Sequence, residues 1–190
     1  MPNIEKQYFE AAGEMVDVIA AKLGKGREVH SETAIAAAAR MAGTMLFRSF
    51  GFDTSKMPPG SAVLSNEANE KGPELMDIVA GMLNQYGLPL ANEKLAEVTS
   101  RGEAPKLTVN ETQELLESDL TSVREKFGLG LEDGARACAL AVAFLVRECA
   151  PQIGLEVGFN VAAFGLIEGC KTVPIKNETK AKRPWYRLWK

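Results

Sequence analysis

Large aromatic residues are scarce: Phe, Trp and Tyr make up 7% of the chain. A core of stacked rings is therefore excluded, and the interior has to come from Ala, Leu, Val and Met. Histidine is scarcer still, with His30 alone. The three cysteines, Cys138, Cys149 and Cys170, are an odd number without short metal-type spacing. One histidine and such spacings argue against zinc, and no metal or cofactor is expected. The cysteines sit in apolar helical runs, so buried free thiols in a reducing compartment are the expectation. Long apolar runs are missing too. The longest, Cys138 to Val146, is about half a membrane span and is closed by Arg147 and Glu148. The opening stretch MPNIEKQYFEAAGE is polar and acidic, unlike a signal peptide. Together these features predict a cytoplasmic protein, in which the glycosylation-type triplets at Asn110 and Asn177 go unused.

Familiar catalytic signatures are absent as well. The stretch GKGRE from Gly24 lacks the spacing and the Lys-Ser/Thr end of a phosphate loop, and neither GxSxG nor CxxC occurs. His30 stands beside Ser31 and Glu32 at a helix start, where a helix-opening role is favoured over that of a catalytic base. Glu67, Glu70, Glu74 and Asp77 would share one face of an unbroken helix, as ligating carboxylates do. Gly72-Pro73 argues against that, and the spacing favours a helix that starts at Pro73 after a separate turn.

What the chain does contain is helical periodicity. Its 190 residues, 46% hydrophobic and 25% charged, suit one globular domain. From Ile4 to Leu23, Tyr8, Ala12, Met15, Ile19 and Leu23 repeat at helical spacing, with Phe9, Val16 and Ala20 widening the buried stripe. A second helix runs from about Ser31, a good N-cap with Glu32 in the first turn, through an alanine-rich half to Gly51. A loop marked by Pro58-Pro59-Gly60 follows. Residues 91–99 read as a short charged helix. Thr108 to Glu111 resembles a capping box opening a surface helix with Thr112, Leu116, Leu120, Val123 and Phe127 on one face. Leu131 to Cys149 forms the next helix, with a short turn at Ala150-Pro151 leading into an antiparallel neighbour.

That neighbour, Ile153 to Cys170, is the stretch around which the sequence suggests the fold is organised. Gly154, Gly158, Ala162, Gly165 and Gly169 fall within a sector roughly 80° wide at helical spacing. The stripe would let another backbone come close, and the nearly all-apolar remainder predicts a central, buried helix. The competing pattern is a strand, because Ile153, Leu155, Val157, Phe159 and Val161 alternate with Gly154, Glu156, Gly158 and Asn160. The expected fold class is all-α, a single-domain bundle of six or seven helices. The alternative is α+β with a small sheet including 153–161.

Charge is unevenly placed. From Lys171 on, seven Lys/Arg face one acid, a net of +6, whereas the preceding chain holds 15 basic and 24 acidic residues, a net of −9. The chain thus divides into a helical body over 1–175 and a basic aromatic tail over 176–190, where Lys182, Arg183, Trp185, Tyr186, Arg187 and Trp189 interleave. The expected function is a non-catalytic helical interaction protein, homodimeric, with the tail as docking element on itself or another protein. The overall acidity disfavours nucleic acid, and membrane-surface association through the tail is a weaker alternative. The rival is a small-molecule site or enzyme between the helices at 31–50 and 153–170. It would be built from His30, Glu156, Asn160 and Arg40, with Arg40 turned toward a carboxylate such as Glu156.

Overall fold

Alanine and glycine occupy so much of residues 31–47 that neighbours can approach this segment from every side, and it forms the axis of the protein. In the computed structural model, which describes residues 6–24, 29–91, 95 and 103–176, every residue from Ser31 to Phe47 is buried. Six helices stand among the described residues: α1 (Lys6–Leu23), α2 (Ser31–Ser49), α3 (Asn66–Gln85), α4 (Val109–Lys126), α5 (Leu131–Ile153) and α6 (Leu155–Cys170). The fold is an all-α multi-helix bundle. The charged helix expected over 91–99 (apart from Ala91 and Leu95) and the tail beyond Lys176 lie outside the described residues.

The two helices that flank α2 run in opposite directions. α5 is antiparallel to it: a β-carbon on Gly134 would lie 3.3 Å from the Met45 sulfur, Cys138 Sγ donates to the Ala38 carbonyl at 3.3 Å, and Ser31 Oγ donates to Gln152 Oε1 at 2.7 Å. α6 is parallel to it, with Gly165 beside Ala36 and Gly169 against the Arg40 backbone. The contact is too close for side chains. A β-carbon on Gly43 would sit 2.5 Å from the Leu166 carbonyl oxygen, and one on Gly165 would sit 2.9 Å from that of Ala36. The predicted small-residue stripe is therefore real at Gly165 and Gly169, where close backbone contact offsets the roughly 1 kcal/mol that each helical glycine costs. Gly158 meets side chains only, and Gly154 lies before the helix.

The stripe does not make α6 the centre. Its outer side carries Phe164, 38% exposed, and Ile167, 48% exposed, so the helix packs on one side and faces solvent on the other. The strand alternative for 153–161 is overturned, since Leu155 to Cys170 is one helix. α5 and α6 are divided at Gly154, whose φ of 87° only glycine adopts readily. Pro151, expected in the first turn of the later helix, lies instead in the last turn of α5, which extends to Ile153. Near a helix end and exposed, the proline leaves the Arg147 carbonyl without its usual partner where water can reach it.

α3 corrects a second expectation. It starts at Asn66, capped by Ser65, and runs unbroken through Pro73 to Gln85. Asn69, whose carbonyl loses its partner to the proline, is exposed, as is Pro73. Gly72 also has no β-carbon to clash with the proline ring. The four carboxylates do share this helix, but no group of three His, Cys, Asp or Glu able to hold a metal exists among the described residues. Lys71 pairs instead with Glu132 at 2.9 Å.

α4 follows its expected pattern. The Thr108–Glu111 capping box is present, and Thr112, Leu116, Leu120 and Val123 are buried. α1 lies antiparallel to α4, tied by Lys22–Asp119 at 2.6 Å and Lys126–Glu14 at 2.5 Å. Its buried stripe is narrower than predicted, since Phe9 is 44% exposed and Ala20 is exposed. After α6 the chain is strapped to the 52–65 loop, where Gly60 N–H donates to the Val173 carbonyl and Val173 N–H to that of Ser61, both at 2.8 Å. Ile175 is held by Gln113 Oε1 and Arg48 Nη2 at 3.0 and 2.8 Å. No helix among the described residues is long and apolar enough to cross a membrane.

Candidate functional site

Four residues proposed from sequence as one site occupy three different places. His30 caps α2. Its Nδ1 accepts from the Thr33 N–H at 3.3 Å and lies 2.8 Å from Thr33 Oγ1, which itself accepts from the Lys106 N–H at 3.0 Å. With Nδ1 accepting, the ring proton sits on Nε2, which faces Glu103 Oε2 at 3.1 Å and Glu32 Oε2 at 3.5 Å. Glu32 Oε1 accepts from the Glu103 N–H at 3.0 Å. The head of α2 therefore clasps residues 103–107, and the N-cap is His30 rather than Ser31. Around this clasp lies a cavity of about 990 Å³ whose lining includes Lys22, Ser31, Glu103 and Gln152.

Cys149 stands near this cavity but is not an activated thiol. Burial raises its pKa above the ordinary value, the Ser31 hydroxyl opposes this, and the Glu32 and Glu148 carboxylates raise it further. A nucleophilic cysteine needs the opposite surroundings, because the thiolate is the reactive form.

Arg40, nearly fully buried, does turn toward a carboxylate, but toward Glu168. Its Nη2 and Nε lie 2.7 and 2.8 Å from Glu168 Oε2, and its Nη1 donates to the Leu107 carbonyl at 2.5 Å. Glu156 is twelve residues earlier on α6, about 18 Å along the axis at the helical rise. Glu156 and Asn160 are half-buried and follow the spacing of the outer residues Phe164 and Ile167. They line neither the cavity at the head of α2 nor the small recess beside Arg40. The tail residues Lys182, Arg183, Trp185, Tyr186, Arg187 and Trp189 lie outside the described residues.

A groove not expected from the sequence lies between α1, α5 and the end of α3. Its walls are Phe9, Gly13 and Val16 from α1, Tyr86 after α3, and Leu140 and Phe144 from α5. Its volume is about 290 Å³, near the lower end of the roughly 300–1,000 Å³ range of ligand pockets and suited to bulky side chains. Arg147 stacks over Tyr86 and Phe144, 4.5 and 4.7 Å from the ring centres, which stiffens one wall. Asp17 marks the α1 rim.

Two kinds of residue were missed. Glu168, Gln152 and Glu103 act through contacts across more than 70 residues of chain, for which sequence spacing offers no signal. Gly13 did offer one, as a glycine in the middle of an otherwise good helix. No protein-family model, curated protein or solved structure matches the chain.

Proposed function

We propose that the protein is a helical interaction protein that self-associates, with its basic aromatic tail as the docking element. The observation that carries this reading is the apolar groove of α1 and α5, open to solvent, in a chain whose two tryptophans both lie in a basic terminal segment. Aromatic anchors entering apolar recesses supply most of the binding energy at protein interfaces. The opposite charges of body and tail favour the encounter. The reading sets the protein in the cytoplasm, where its three thiols stay reduced. The test is retention of an untagged copy by a tagged copy on affinity resin. Full-length chains are expected to co-purify and chains ending at Thr179 are not. Equal retention by both would refute the reading.

A second reading, a site for a small polar molecule, is favoured by the size and polar lining of the cavity at the head of α2. Thermal-shift screening of polar metabolites tests it, with stabilisation that Gln152→Leu abolishes as the supporting result.

A further inference from the structure

Gly13 has no structural reason to be glycine. It sits in the middle of α1, where glycine costs roughly 1 kcal/mol relative to alanine, and a β-carbon there would meet nothing within 4 Å. Gly165 and Gly169 of α6 are different, because neighbouring backbone occupies the space. At Gly13 the missing side chain leaves open the groove between Phe9, Val16, Leu140 and Phe144.

We infer that this groove receives Trp185 from the tail of a second copy, and that Gly13 keeps it open for the indole. The inference rests on the self-association proposed above and gives it a seat. The exposed ring of Phe9 and the rings of Tyr86 and Phe144 offer faces and edges to an incoming indole. Charge agrees on the α1 side. Asp17, in the lining of the groove, makes no ion pair among the described residues and is the acid left for Lys182, Arg183 or Arg187, since Glu10 and Glu14 are paired with Lys6 and Lys126. Arg147, beside the groove, is itself engaged with Tyr86, Phe144 and Glu148.

Reach favours a second copy over the chain's own tail. The tail leaves from Lys176, bonded to Ser55 in the 52–65 loop that leads into α3. The groove lies at the far end of α3, whose 20 residues span about 30 Å. Trp185 is nine residues past Lys176, so even a fully stretched chain covers only about 30 Å, no more than the length of α3 itself. A second copy has no such limit, and two reciprocal insertions close a twofold dimer.

Because both tryptophans lie in the tail, intrinsic tryptophan emission reports on the tail alone. The expected result is short-wavelength emission that moves to longer wavelength on dilution, in step with loss of dimer mass. Gly13→Leu fills the groove without meeting a neighbour, so it should keep or raise helicity and thermal stability. It should also shift emission to the exposed position and weaken self-association at least tenfold. Phe9→Glu, at an exposed wall position, should do the same and serves if Gly13→Leu misfolds. If both variants keep dimer and emission unchanged while chains ending at Thr179 are monomeric, the groove assignment is wrong and the tail docks elsewhere. Short-wavelength emission from a monomer at every dilution would overturn it in favour of docking within one chain. If chains ending at Thr179 still dimerise, or the full chain never does, the self-association reading fails with it.

Discussion

The Arg40 carbonyl oxygen lies where a β-carbon of Gly169 would have to be. The same crowding recurs at Gly43, opposite Leu166 and Cys170, so α2 and α6 meet backbone to backbone over a full turn. Gly169→Ala should therefore destabilise the protein by about 2 kcal/mol or more, even after the roughly 1 kcal/mol gain in helix propensity. Gly13→Ala, with open space above it, should stabilise by about 1 kcal/mol. Urea unfolding midpoints of the two variants should move in opposite directions, and movement in the same direction would contradict the packing described.

Arg40 and Glu168 form a pair with one partner buried and the other partly open to water. A double-mutant cycle with Arg40→Met and Glu168→Gln should show coupling of about 1–2 kcal/mol, below that of a fully buried pair because solvent screens Glu168. The cycle of Arg40 with Glu156 should be additive within about 0.5 kcal/mol.

Burial pushes the Cys138 and Cys170 thiols up to about 12 and raises Cys149 to a lesser degree. In the native protein near pH 8, a thiol reagent should modify Cys149 slowly and the other two not at all, with all three reacting in denaturant. The linkage has a definite sign. Above about pH 9 the unfolded thiols lose protons that the folded ones keep, so stability is full below that pH and falls as pH rises toward 12. Cys138→Ala should flatten part of that alkaline slope.

Glu111 responds at the other end of the pH scale. The Thr108 backbone N–H, and then its hydroxyl, hold the Glu111 carboxyl below its ordinary value. Its contribution is present above about pH 4.5 and lost as pH falls through the lowered value. Glu111→Gln should make the acid limb of the stability curve shallower, and the Glu111 carboxyl should titrate below the ordinary glutamate value by NMR.

The sequence made much of the bundle legible, because α1, α4 and the glycine face of α6 write their periodicity and caps in neighbouring residues. It misjudged which helix is central. α6 is the more apolar, but α2 can be buried from Ser31 to Phe47 because its polar side chains find distant partners. Glu32 takes the Glu103 N–H, Arg40 takes Glu168 and Thr44 takes Gln113. Such partners carry no local signal. Pro73 and Pro151 misled for a related reason, since an exposed helix face tolerates a proline that a buried one would not. Of the four residues proposed as one site, His30 alone faces the cavity at the head of α2.

Light scattering across a concentration series, on the full chain and on one ending at Thr179, decides whether the tail joins two copies. The full-chain mass is expected to climb from 20.5 kDa toward twice that value. The shortened chain should stay at one copy with its helical content intact. A shortened chain that dimerises as readily as the full one would contradict docking through the tail.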